Sequence, residues 1–259
     1  MHNLDIAPVR LLNKLYHDLS KDRRYEIFIM FETSLLQKVS KLEIANINVS
    51  EDHIFNFTWE EMIEKYHSKF YGKAYVGNCC YPFIELWHRL EEHNSHYDYF
   101  IFVEDDILYT GDYVRLFDTI KVNQYDCVRF QYNHFPTNWY WYKDQYINKD
   151  TRRTVIFPFC KIHKGLLQLY SLSNKAMSYL YDKLTFNVYL AHHELLINTL
   201  LDNNDELTKH FYDQDLNTHI YVYKDELRRY IEHHSILENE LYHPIKNDLF
   251  DTFDQAYKI

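Results

Sequence analysis

Apolar residues recur at helical spacing over 8–20, at Val9, Leu11, Leu12, Leu15, Tyr16 and Leu19, and a compact apolar run follows at 25–31. The pattern predicts a helix leading into a buried strand. Segments 59–70 and 82–92 carry the helical period again, the second with Leu86, Trp87 and Leu90 on a common side. A second near-continuous apolar strand is predicted at 97–103, and it ends abruptly in Glu104, Asp105 and Asp106. A strand of this profile is expected to be buried on both faces, as in a parallel or mixed sheet covered by helices. Beyond it, 111–120 reads as helix, 126–132 as strand, 173–183 as a helix capped by Ser173 or Asn174, and 192–201 as another helix. The aromatic stretch around Trp139, Tyr140 and Trp141, continuing to Arg153, reads as a loop or hairpin insertion. Such alternation of strand and helix predicts an α/β sandwich. No repeat, low-complexity tract or Pro/Gly/Ser linker divides the 259 residues, so one domain is expected.

Composition changes this picture in a few places. Tyr (25) and Phe (17) far outnumber Gly (4), which predicts many half-buried phenols near the surface or a cleft. An AT-rich coding bias produces the same excess, so it carries no functional weight. The formal charge of −10, without any Lys/Arg run, argues against a nucleic-acid partner. Cys79 and Cys80 are adjacent, Cys127 and Cys160 stand alone, and no C-x-x-C spacing suggests zinc. This cysteine usage fits a reducing compartment. The first 24 residues mix charges into their apolar positions, unlike a signal peptide or membrane helix, and no later stretch reaches spanning length. A cytoplasmic protein is expected, with room for a peripheral contact at the inner face of a membrane to reach a lipid-linked acceptor.

The candidate chemistry lies in the acids after the second strand. In doubly wound sheets ligands sit beyond the carboxyl ends of strands, which is where Glu104, Asp105 and Asp106 fall. Mg2+ and Mn2+ take oxygen ligands and are commonly held by one or two carboxylates together with substrate phosphates. Such an ion bridges a diphosphate and acts as a Lewis acid on the leaving group. A solvated acidic turn at a strand end is the plain alternative.

Residues 97–108, Y-D-Y-F-I-F-V-E-D-D-I-L, are similar to the hydrophobic strand and D-x-D segment of GT-A glycosyltransferases, in the E-D-D variant found in the N-acetylglucosaminyltransferase I family among others. Residues 109–117 resemble the turn and helix after that motif, 126–130 the next core strand, and 172–180 the L-S-x-x-A helix of the acceptor half. Residues 241–246 resemble the H-P-(V/I)-K ending of several bacterial glycosyltransferases. The resemblance covers roughly 97–245, and the first 96 residues match in pattern only. It implies a GT-A type, Rossmann-like α/β/α sandwich with a mainly parallel mixed central sheet. About 1–106 would be the nucleotide-sugar-binding half, and about 107–259 the acceptor-binding half with the C-terminal segment.

The same resemblance implies roles. Asp106 would ligate Mn2+ or Mg2+ directly, with Glu104 and Asp105 contacting the ribose or metal-bound waters. His243 would supply a further metal ligand or diphosphate contact, ahead of His234, and Lys246 would be available to the phosphates. Glu32 and Thr33, ending the first strand, are candidates for nucleoside contact. No Asp stands convincingly in the uracil-binding place, so the base is left open, with a UDP-sugar the expected donor. Inverting enzymes of this type need a general base at the start of a helix after the acceptor-side helix, and Glu194, after His192 and His193, stands there. Trp139, Tyr140 and Trp141 suit stacking on an acceptor sugar or core packing equally. The expected reaction is metal-assisted, inverting transfer of a sugar from a nucleotide-diphosphate sugar to a glycan or glycolipid, with surface polysaccharide as the implied product. The rivals are a metal-dependent nucleotidyltransferase or phosphohydrolase, which the lack of a Gly-rich phosphate loop disfavours, and a catalytically silent carbohydrate-binding protein of the same fold.

Overall fold

The computed structural model describes residues 6–32, 50–66, 80–93, 96–130, 169–186, 193–221 and 224–257. In chain order its elements are α1 (Ile6–Leu19), β1 (Ile29–Glu32), β2 (Ile54–Phe57), α2 (Trp59–Lys65), α3 (Cys80–Glu92), β3 (Tyr99–Val103), β4 (Leu108–Tyr109), α4 (Tyr113–Thr119) and β5 (Cys127–Arg129). They continue with β6 (Leu169–Ser173), α5 (Asn174–Phe186), α6 (His193–Asp202), β7 (Lys209–Phe211), β8 (Thr218–Ile220), α7 (Lys224–His233), β9 (Leu241–His243) and α8 (Asn247–Tyr257).

Helix starts follow from local chemistry. Thr58 and Glu61 form a reciprocal capping box at α2, each side chain accepting the other's backbone N–H at 3.2 and 3.0 Å. Asp112 caps α4 by accepting the Arg115 N–H at 3.0 Å. Of the two capping residues read for α5, Ser173 does the work, its Oγ accepting the Ala176 N–H at 3.2 Å.

The chain divides into two compact units, each built from non-contiguous segments. One comprises Met1–Asn56, Val103–Lys121 and Phe211–Ile259; the other comprises Phe57–Phe102 and Val122–His210. The second unit carries a sheet of order β3-β6-β5-β7, in which β5 and β6 pair antiparallel with Cys127 opposite Leu172 and Arg129 opposite Tyr170. Both of these strands are buried throughout, and α5 packs on β6, α3 and α6. Strand β3 departs from the expectation of burial on both faces. Only Phe100 in it is buried, and among the described residues β3 lies at the edge of this sheet. Burial pushes the lone Cys127 thiol up to about 11, consistent with a packing role.

The first unit carries a sheet of order β4-β9-β8. Strand β9 is central, antiparallel to β4 (Leu108 opposite Tyr242) and parallel to β8 (His219 opposite Tyr242). Its core gathers Leu11, Leu108, Leu227, Tyr242, Ile245, Leu249, Phe250 and Phe253. Helix α1 packs on α4 and α8. The loop after β4 is tied to α1 through Lys14, which donates to the Gly111 carbonyl at 2.6 Å and to Asp18 at 2.7 Å. Gly111 is needed there for space, since a Cβ would press on the Tyr109 ring at 2.7 Å and on the Asn239 side chain. The chain is thus a mixed α/β protein with both parallel and antiparallel strand pairs. Among the described residues no helix is long and apolar enough to cross a membrane.

In the second unit Arg129, 3% exposed, donates to Asn198 Oδ1 and Asp202 Oδ1, each at 2.5 Å, with the Asp202 side chain 9% exposed. Removing one partner of a buried pair leaves the other charge uncompensated, so Arg129→Met is expected to cost about 3–5 kcal/mol, whereas a double R129M/D202L variant recovers part of the loss. Urea unfolding of the three proteins measures both effects.

Candidate metal centre

The first unit brings together residues far apart in sequence. The chain leaves β3 at Val103 and turns through Glu104, Asp105 and Asp106, with the Ile107 N–H directed at the Glu104 carbonyl at 3.4 Å, before entering β4. From the other side β9 delivers His243, followed by a cis His243–Pro244 peptide, Ile245 and Lys246. A backbone bond joins the two segments, the Ile245 N–H donating to the Asp106 carbonyl at 2.7 Å. Side chains alternate along a strand, so Tyr242 points into the core and His243 to the opposite face.

Glu104, Asp106 and His243 each offer a ligand atom, and the three atoms lie within 4.8 Å of one another. Asp106 is 7% exposed. His243 Nε2 stands 3.3 Å from Asp106 Oδ1 and 3.9 Å from Glu104 Oε2. His243 Nδ1 is 3.0 Å from the Tyr221 carbonyl, and a carbonyl only accepts, so Nδ1 carries a proton. Nε2 then either holds a second proton shared with the carboxylates or presents its lone pair to a cation that all three hold. An outer hydrogen bond that fixes tautomer and ring orientation is the usual support of a metal-binding imidazole. Ligand atoms about 2.1 Å from a common ion stand about 3–4 Å apart, and the two separations from His243 Nε2, 3.3 and 3.9 Å, fall in that range. Two carboxylates with one imidazole form a mixed oxygen and nitrogen donor set that could hold a divalent metal ion.

Lys246 Nζ contacts Asp106 Oδ2. Burial pushes the Asp106 carboxyl up, but the charge and hydrogen bond of His243, with those of Lys246, outweigh it and hold the group well below the ordinary carboxylate range. Burial lowers the Lys246 amine, and the Asp106 charge and hydrogen bond more than reverse this, with smaller contributions from Asp105 and Glu104.

The other residues read from the sequence fall elsewhere. Asp105 is half-buried in the turn. Glu32 is a buried acid closing β1 and is not a member of the converging group of three. His234, the second-ranked histidine, is exposed at the end of α7, with Nδ1 2.9 Å from the Tyr230 carbonyl and its ring stacked on Tyr230 at 4.3 Å. Glu194 lies in the first turn of α6, in the other compact unit. Thr33, His192, Trp139, Tyr140 and Trp141 lie outside the described residues.

Sequence reading missed the Tyr221 carbonyl, a backbone group that leaves no side-chain signal, and a network under β9. Glu240, 5% exposed, accepts from His219 Nε2 and Tyr242 Oη, both at 2.7 Å, and from Asn217 Nδ2 at 3.2 Å. The His219 ring lies between Tyr230 and Tyr242, with centroids 4.4 and 4.7 Å away. In comparisons with known proteins, no family model and no curated protein sequence matches the chain.

Burial raises the Glu240 carboxyl, but hydrogen bonds from Tyr242 and His219, the His219 charge and the Asn217 bond leave it below its ordinary value. In the unfolded chain the group titrates near about 4.3. Its ionised form therefore stabilises the fold at every pH above that value, and the stabilisation is lost as pH falls towards the lower folded value. Glu240→Gln is expected to cost about 1–3 kcal/mol at neutral pH. The variant should also show a shallower loss of stability between pH ~5 and ~3 than the wild type, since position 240 no longer takes up a proton on unfolding. Urea midpoints measured across that range give both quantities.

Proposed function

We propose that the chain is a metal-dependent glycosyltransferase of the GT-A type, moving a sugar from a nucleotide-diphosphate sugar, with UDP-sugars the expected donors, to a glycan or glycolipid acceptor. The observation that carries this reading is the convergence of Glu104 and Asp106, which follow a strand end in the E-D-D pattern, with His243 of the H-P-I-K segment. These two motifs were related in sequence only by resemblance, and they meet at one carboxylate. When bound, a divalent cation would act as a Lewis acid, stabilising negative charge on the departing diphosphate.

The chain's own residues set the conditions for that chemistry. Tyr221 orients His243 through Nδ1, leaving Nε2 for the cation. Asp106 is held below the ordinary carboxylate range by His243 and Lys246 beside it, so it is a ligand without first losing a proton. Glu104, half-buried in the turn, is the proposed contact to metal-bound water or ribose. The base that takes the proton from the attacking hydroxyl in an inverting displacement is assigned to Glu194 by the sequence resemblance alone.

Ligand binding raises apparent stability by mass action. Thermal melts of the wild type and Asp106→Asn with UDP-, GDP- and CMP-linked sugars, each with and without Mn2+, are expected to show stabilisation only for the wild type with metal and one donor class. A shift with Mn2+ alone and none with any nucleotide sugar would move the reading to other metal-dependent phosphate chemistry. Absence of any shift would favour a catalytically silent protein.

A further inference from the structure

Asp106 serves two neighbours with one carboxylate. Its Oδ1 faces His243 Nε2 at 3.3 Å, while its Oδ2 is in contact with Lys246 Nζ. The partners differ in how firmly they are held. The side chains of Asp106 and His243 are 11% and 9% exposed, whereas that of Lys246 is 51% exposed. Lysine carries its charge on a flexible four-carbon stem and lacks the planar fork that locks an arginine onto a carboxylate. The ammonium can therefore swing away towards solvent, and the carboxylate cannot follow.

A divalent cation taken up by Glu104, Asp106 and His243 would be attached to the same carboxylate as this ammonium. Like charges at such range repel, and the partial burial of the site weakens the screening that water would provide. The repulsion is relieved if the ammonium leaves Oδ2, or if an anion binds both positive charges at once. An ammonium offers three donors and no acceptor, so once released it seeks oxyanion oxygens.

We propose that Lys246 is a displaceable cation that occupies Asp106 in the absence of ligands and, on metal uptake, turns to an oxyanion of the phosphate or diphosphate class, so that metal and oxyanion bind as a coupled pair. The inference rests on the metal-centre reading above and adds the coupling and the residue that produces it. Coupling is reciprocal: whatever the oxyanion does to metal affinity, the metal does to oxyanion affinity. Replacing Lys246 by a neutral residue of similar length should then tighten binding of the metal alone and at the same time reduce the help that the oxyanion gives to the part that comes from the metal's own attraction for it.

Equilibrium dialysis of Mn2+ with the full chain, with and without inorganic pyrophosphate at matched free Mn2+, tests this on wild type, Lys246→Met, Lys246→Arg and Asp106→Asn. For the wild type, pyrophosphate is expected to tighten Mn2+ binding by about 5- to 150-fold, the usual span of a coupling between sites. K246M should bind Mn2+ alone several-fold more tightly than the wild type and gain several-fold less from pyrophosphate. K246R, which keeps the charge, should retain weak binding of Mn2+ alone. Lys246 is half exposed, so these variants are expected to fold, and circular dichroism checks that they do. If K246M binds Mn2+ alone no more tightly than the wild type, or keeps the full pyrophosphate effect, the coupling role is overturned while loss of binding in D106N keeps the metal centre standing. If neither wild type nor K246M binds Mn2+, both the coupling and the metal centre fall.

Discussion

A carboxylate removed from water must be paired, and in this chain that requirement falls on Asp106. The groups that pair with it, His243 and Lys246, arrive up to 140 positions later in the sequence. An isolated buried charge costs far more than a small domain can offset, so the turn at Asp106 and the segment after β9 form together or not at all. The backbone bond from Ile245 to Asp106 and the pairing of Leu108 with Tyr242 fix the same register. A slip of β9 by one residue would turn Tyr242 out of the core and His243 into it. In the first unit the sheet register and the candidate site are therefore one constraint.

Strand β9 is only three residues long, and a ladder that short confers little stability by itself. Its ends are held by side chains instead. Asp106 with His243 and Lys246 stands at one end, and Glu240 with His219, Tyr242 and Asn217 at the other. Thr110 reinforces the second end: its N–H donates to the Glu240 carbonyl and its Oγ1 accepts the Glu240 N–H, both at 3.0 Å, while its hydroxyl donates to the Leu237 carbonyl at 2.8 Å. A histidine placed on such a strand has a fixed direction, which matters more for a metal ligand than for a surface residue.

Much of the local structure was readable because it depends on neighbours. The acids at 104–106 marked a strand end, Asp112 and Ser173 sit where N-caps were read or belong, and the helical periods at α1, α3, α5 and α6 emerged within a few residues of their predicted limits. What could not be read was what distant segments supply. Strands β4, β8 and β9 are two or three residues long, too short to carry a period of two, so neither their pairing nor the β4-β9-β8 order had a sequence signal. Strand β3 looked buried on both faces because its residues are apolar, yet most of it is half-buried and, among the described residues, it lies at a sheet edge. His243 was identifiable by its motif, whereas the Tyr221 carbonyl that orients it was not, because every residue has a carbonyl.

Charge placement also separates the site from the rest of the surface. Pairs such as Arg228 and Lys224 with Asp248 are exposed and contribute little to stability. The net charge of −10 acts against any anionic ligand at long range, although salt screens it beyond about 8 Å at physiological ionic strength. Within that distance the three acids at 104–106 make an approaching diphosphate still less welcome, and Lys246 alone offsets only one of them. Under the proposed function, an anionic donor is therefore bound only where extra positive charge comes with it. On that reading the same acids that repel the anion would collect a divalent cation, so the negative field of the turn and the proposed need for a metal are two sides of one electrostatic arrangement. Lys246, resting on Asp106 until that cation comes, keeps the buried carboxylate compensated in the interval.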